Sequence, residues 1–210
     1  LFDLLSQAAL NWANVTVMLT DERWVPTDSP RSNTGLIKNR LLVNSASAAR
    51  YIALYAPGLD HVGGARALSQ QVAPNLPIDV VVLGMGADMH TASLFPGAPE
   101  LSLAQDARAD AVMPMVPVGS DLEPRVTLSA RVLEMARQTH VLILGDDKKA
   151  ALAQAQTLSP ADAPIAQFFH ILFKPLTVVL VNTAQWVLSN LLQVKMVYKK
   201  EAFTKVDLAH

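Results

Sequence analysis

Asp88 and His90 stand two residues apart, just beyond the apolar run Ile78, Val80, Val81, Val82 and Leu83, with Gly84 and Gly86 in between. A β-branched run that stops at glycines reads as a buried strand ending in a turn. Ligands of open α/β sheets bind in the crevice at the carboxyl ends of the strands, so a histidine in this place is set for general-base work. The competing reading is a plain tight turn, with Asp88 capping a short helix over 91–95. Two further readings fail. The stretch from Gly84 to Met89 lacks the third glycine of a dinucleotide fingerprint, and Ser93 lies three residues past His90 rather than in a Gly-x-Ser-x-Gly elbow.

Three more charged clusters follow expected strands or stand near them. Thr20-Asp21-Glu22-Arg23-Trp24-Val25-Pro26 comes after the first strand, Pro124-Arg125-Val126-Thr127-Leu128 lies further on, and Gly145-Asp146-Asp147-Lys148 follows another strand. Arginine binds phosphate through a bidentate fork and lysine as a point charge, so Arg23, Arg125 and Lys148 together suit a sugar phosphate. Taken singly, each reads as a solvated charge or a structural ion pair. Their recurrence at one edge of the sheet is what favours a site. Trp24 is expected as a packed lid beside Arg23. His61, His140 and His170 fall in a loop, at a strand start and at an apolar helix end, without metal-ligand spacing, and read as structural.

The elements that must position these groups alternate. Residues 15–19, 52–54, 80–83, 112–116, 141–144 and 176–181 read as strands, and 33–42, 65–72, 130–136, 148–157 and 164–169 as helices. That order predicts an α/β fold: a doubly wound, mostly parallel, Rossmann-like sheet with helices on both faces. A length of 210 residues without a compositional break predicts one domain over 1–186. Beyond it, 187–210 forms an apolar-then-basic extension, Leu188, Leu191, Leu192 and Val194 preceding Lys199, Lys200 and Lys205.

Composition removes several function classes. Hydrophobic residues make up 51% and charged residues 17%, which suits a sheet buried on both faces. A net charge of −1 with no basic stripe argues against nucleic acid as a partner. With no cysteine there is no disulfide, thiolate nucleophile or Cys-ligated metal, and a cytoplasmic setting is compatible. The most apolar stretch, 168–181, is interrupted by His170, Lys174 and Pro175 and is too short for a membrane span. No signal peptide is visible at the start. No metal site is expected, and self-association is left open.

Asp21-Glu22-Arg23-Trp24-Val25-Pro26, Ser32-Asn33-Thr34, the run from Leu83 to Gly97 that contains His90-Thr91-Ala92-Ser93-Leu94-Phe95-Pro96, and Pro124 to Leu128 resemble the motif set of the 6-phosphogluconolactonases. With Gly145 and Lys148 they run in that family's order, and the sequence after the histidine separates them from the glucosamine-6-phosphate deaminases of the same fold. The resemblance implies hydrolysis of 6-phosphogluconolactone, a phosphorylated sugar lactone, in the oxidative pentose phosphate pathway without metal or organic cofactor. It implies His90 as the base for the attacking water, with Asp88 as its supporting carboxylate. An imidazole that titrates near ~6.5 in model peptides suits that task. Arg23, Asn33, Arg125 and Lys148 are implied to bind substrate, and backbone N–H groups around Gly84 and Gly86 to meet the oxyanion. Two departures accompany it. The family's Ser-Gly-Gly phosphate loop is expected upstream of Leu1, and Met89 stands where the family has glycine, at about 1–2 kcal/mol if its φ is positive. The alternatives are an isomerase or deaminase of the same fold and a catalytically impaired sugar-phosphate-binding protein.

Overall fold

A computed structural model describes residues 1–119 and 123–168, together with the backbone of a strand at 176–180. Among these residues eight strands fall into three ladders. Strands β1 (Thr16–Met18) and β3 (Arg50–Ile52) pair in parallel. So do β4 (Val80–Leu83), β7 (Gln138–Ile143) and β8 (Leu176–Leu180), in the order β4-β7-β8. The third ladder is antiparallel, with β6 (Arg125–Leu128) between β2 (Asp21–Arg23) and β5 (Val112–Met115). Parallel pairings predominate, as the alternation of strands and helices predicts.

The antiparallel ladder is the main difference from that expectation. β2 is Asp-Glu-Arg and has no apolar alternation to announce it. It exists because its backbone pairs with the β-branched Arg125-Val126-Thr127-Leu128 segment, a case of tertiary pairing overriding weak local propensity. β5, expected within a mostly parallel sheet, runs antiparallel to β6 instead.

The helices lie close to their expected places, and where they shift the caps explain it. α1 (Phe2–Leu5) opens the chain. α2 (Asn33–Arg40) starts at Ser32, whose hydroxyl accepts the N–H groups of Thr34 and Gly35. α3 (His61–Val72) begins four residues before the apolar pattern because Asp60 accepts the Gly63 N–H at 2.7 Å. α4 (Leu101–Ala104), α5 (Ala130–Glu134) and α6 (Asp146–Ala155) follow, and 164–168 forms a 3₁₀ turn rather than an α-helix.

Leu54, Leu68, Val81, Leu83, Leu94, Met115, Val126, Leu128, Leu133, Val141 and Ile143 form a buried cluster spanning the β4·β7 ladder, the antiparallel ladder and helices α3 and α5. A smaller cluster around Trp12, Ile37, Leu41 and Ala46 packs under α2. His170 and the extension expected at 187–210 lie outside the described residues.

Candidate active site

The base-bearing loop is a closed turn. After β4 ends at Leu83, the Gly86 N–H donates to the His90 carbonyl at 2.9 Å and the Met89 N–H donates back to the Gly86 carbonyl at 3.1 Å. Within it Asp88 Oδ1 lies 2.5 Å from His90 Nδ1. A carboxylate there accepts a hydrogen bond from Nδ1–H of a neutral imidazole and leaves Nε2 as the nitrogen able to accept a proton. Gly86 makes this possible by having no side chain: a Cβ would sit 2.3 Å from the imidazole and 2.4 Å from Asp88 Oδ1. Its N–H is engaged by His90, so Gly86 does not offer that donor to an oxyanion. The Gly84 carbonyl accepts the Thr91 hydroxyl at 2.9 Å.

Met89 has φ of 65°, and Ala92 has 49°. Both occupy the left-handed region that favours glycine, which costs each about 1 kcal/mol or more. Packing holds them there. Met89 lies against the core, and its carbonyl accepts the Ile165 N–H at 3.2 Å. The Asp88–His90 contact is intact despite Met89. No helix forms over 91–95; Thr91 and Leu94 make an isolated antiparallel bridge instead.

The antiparallel ladder supplies the cations. Arg23 is registered opposite Arg125 across β2·β6, so both point from one face of the sheet. The Arg125 guanidinium lies 5.7 Å over the Phe95 ring and 3.7 Å from Asp21 Oδ2. Phe95 in turn stands 4.9 Å from the His90 ring, so arginine and imidazole both approach one aromatic. Burial, and then the charge of Arg23, push Arg125 below its ordinary value. A guanidinium under such pressure gains from an incoming anion.

Arg23 is held from behind. Its Nη1 donates to the Arg31 carbonyl at 2.7 Å and to Asn33 Oδ1 at 2.8 Å, while its buried Nε has no hydrogen bond among the described residues and lies 3.6 Å from Glu123. Both ends of the Asn33 amide are engaged, since Nδ2 donates to the Asp21 carbonyl at 3.2 Å. Glu123 also accepts from Arg31 at 2.9 Å, and that bond holds its carboxyl below the usual range.

Sequence reasoning missed the use made of Glu22. Strand alternation turns it away from Asp21 and Arg23 into the interior, where it is fully buried. Its carboxylate accepts from the N–H groups of Arg23, Asn33 and Thr34 and from the Ser32 hydroxyl, at 2.7–3.0 Å. It thus fastens the start of α2 to β2 and sets Asn33 beside Arg23. The period-2 rule applied to 21–23 was the signal available. Trp24 packs away from the charges: its Nε1 donates to the Leu59 carbonyl at 3.1 Å and its ring meets Tyr55. The ring also fills the space over Gly64, where a Cβ would come within 2.0 Å of it.

Lys148 sits in the first turn of α6, directly after β7 and Gly145, whose φ is 93°. Because β7 pairs in parallel with β4, that turn and the His90 loop share the carboxyl edge of the ladder. Among the described residues nothing bonds to Lys148, and no direct contact joins it to His90 or the arginines. The described residues contain no cluster of His, Asp and Glu able to hold a metal ion.

An α/β fold with a carboxylate-oriented histidine past a strand's carboxyl end has the form of the α/β enzymes that bind their ligands at that edge. Comparison with known proteins makes this specific: the chain belongs to the family described as glucosamine-6-phosphate isomerases/6-phosphogluconolactonase, which matches residues 1–172. It is 42% identical over 162 residues to the 6-phosphogluconolactonase of Mesorhizobium japonicum, an alignment covering 76% of this chain and 67% of that protein. The 6-phosphogluconolactonase of Pseudomonas aeruginosa is 41% identical, over 73% of this chain and 65% of its own length. The chain thus spans about two thirds of the length of these curated relatives. Among solved structures, a 6-phosphogluconolactonase from Shewanella baltica superposes with a TM-score of 0.80 at 33% identity, covering 84% of this chain and 76% of that one. A monomeric glucosamine-6-phosphate deaminase shares the fold, with a TM-score of 0.68 at 17% identity.

Proposed function

We propose that this chain hydrolyses 6-phosphogluconolactone to 6-phosphogluconate, with His90 as the base. The observation that carries the reading is the Asp88–His90 pair at 2.5 Å, with Phe95 near both the His90 ring and the Arg125 guanidinium. Asp88 accepts the hydrogen bond from Nδ1–H and so fixes the tautomer, and Nε2 takes a proton from water as that water attacks the lactone carbonyl. The imidazolium that forms is stabilised by the same carboxylate. Arg125 and Arg23 face the charge that develops on the substrate, Asn33 keeps Arg23 in place, and Lys148 at the same sheet edge attracts the phosphate. Gly84 shapes the strand exit, and Gly86 gives the imidazole its room. No metal or organic cofactor enters the scheme. A cytoplasmic setting belongs to the same reading and is supported by the cysteine-free sequence. Among the described residues no helix is long and apolar enough to cross a membrane.

The test is steady-state hydrolysis of freshly generated 6-phosphogluconolactone, after subtraction of spontaneous opening, beside the unphosphorylated lactone. The expected outcome is turnover of the phosphorylated lactone with kcat/KM at least about 100-fold above the other, equivalent to two charged hydrogen bonds to phosphate. Equal rates on both lactones would remove the cations from the scheme.

A further inference from the structure

The sheet face that carries Arg23 and Arg125 also carries Asp21, which pairs with Thr127 across β2·β6. The Asp21 side chain is only 16% exposed. Its Oδ2 accepts the Ser93 hydroxyl at 2.6 Å and lies 3.7 Å from Arg125 Nη1. Ser93 is fully buried, and its N–H donates to Thr127 Oγ1 at 3.3 Å. The segment after His90 is therefore bolted to β2 and β6 at two neighbouring points. Phe95, two residues on, touches both the His90 ring and the Arg125 guanidinium. A shift of Ser93 or Arg125 is thus a shift of the aromatic wall between them.

On the lactonase reading above, we infer that Asp21 is the positioning residue that locks the His90 loop and Arg125 into one working geometry. It acts through Ser93 and Arg125 and not on the substrate. Burial raises its carboxyl above the usual range, and the Ser93 hydrogen bond and the Arg125 charge only oppose that rise. An ionisable group is thus kept where it is costly to keep, which cohesion alone does not require.

The test compares Asp21→Asn and Ser93→Ala with the unaltered full chain. For Asp21→Asn, kcat is expected to fall about 10- to 100-fold, the scale set by a misplacement near 1 Å, with KM moving less than kcat. The melting temperature is expected to change little, because relief of the desolvated carboxylate is set against the loss of its charge beside Arg125. Ser93→Ala should move kcat in the same direction by less. A second readout is independent of turnover: the His90 ring protons feel the Phe95 ring current, and their NMR resonances are expected to move in both variants. If lactone were not the substrate, the unaltered chain would show no turnover while this spectral shift persisted. Wild-type kcat with wild-type His90 resonances would overturn the inference. So would a kcat loss that tracks a lowered melting temperature while the resonances stay put. Should Asp21→Asn fail to fold, Ser93→Ala carries the same two readouts.

Discussion

His90 and Arg125 both approach the Phe95 ring, yet they come from two differently built parts of the molecule. The histidine rides on a strained loop at the end of a parallel strand. There a turn closed by two backbone hydrogen bonds, a glycine with no room for a Cβ and two left-handed non-glycine residues fix its place. The arginine lies within an antiparallel ladder, and its place follows from register: Arg23 opposite Arg125, Asp21 opposite Thr127. A one-residue slip in that ladder would turn every cation to the other face. The difference teaches that local backbone shape orients the base, whereas long-range strand pairing gathers the charges.

The comparison breaks most sharply at Gly86. Gly86→Ala puts a methyl into the imidazole, so kcat is expected to fall about 10- to 100-fold, with an overpacking loss of about 1–3 kcal/mol in a denaturant melt. The arginine side should respond in a different parameter. Arg125→Lys keeps the charge but loses the planar fork, and KM is expected to rise about tenfold while kcat falls less. Glycine in place of Met89 tests whether strain alone governs the loop. Relief of the left-handed conformation offsets the lost packing and the added chain entropy, so stability should change by less than about 1 kcal/mol and kcat by less than about twofold.

The smallest effect is a pH dependence that arises outside the loop, at His140 on β7. Burial lowers the His140 pKa from its ordinary 6.5, and among the described residues its Nε2 has no hydrogen-bond partner. The sign follows from linkage: below that ordinary value the unfolded chain binds a proton that the folded ring refuses. Stability should therefore drop as pH falls from about 6.5 toward the lowered value, and His140→Leu should flatten that part of a melting-temperature profile. An unchanged slope would mean that another group sets it.

Legibility in the sequence followed the same division. The strand-to-glycine exit at 83–86 and the Asp88–His90 spacing are local, so the loop could be read from type and order alone. The family's glycine at position 89 raises the question of a positive φ without answering it, and the structure has Met89 at 65°. The antiparallel ladder was not legible, because Asp-Glu-Arg has no apolar alternation and its strand character comes from a partner about a hundred residues away. For that reason Glu22 was taken with its neighbours as one charged cluster, although strand geometry sends it inward to cap α2. Asn33 and Lys148 mark the middle ground. Their helices were predicted within a few residues, but only the structure shows Asn33 engaged with Arg23 and Lys148 without a partner among the described residues.

The most direct test is hydrolysis of 6-phosphogluconolactone by the chain and by its His90→Ala variant, with product measured through a coupled dehydrogenase and spontaneous opening subtracted. The account predicts clear turnover by the chain and a loss of at least about 100-fold in the variant, the lower bound for a positioned general base. Equal rates in the two proteins would contradict it, since the Asp88–His90 pair would then take no part in the chemistry.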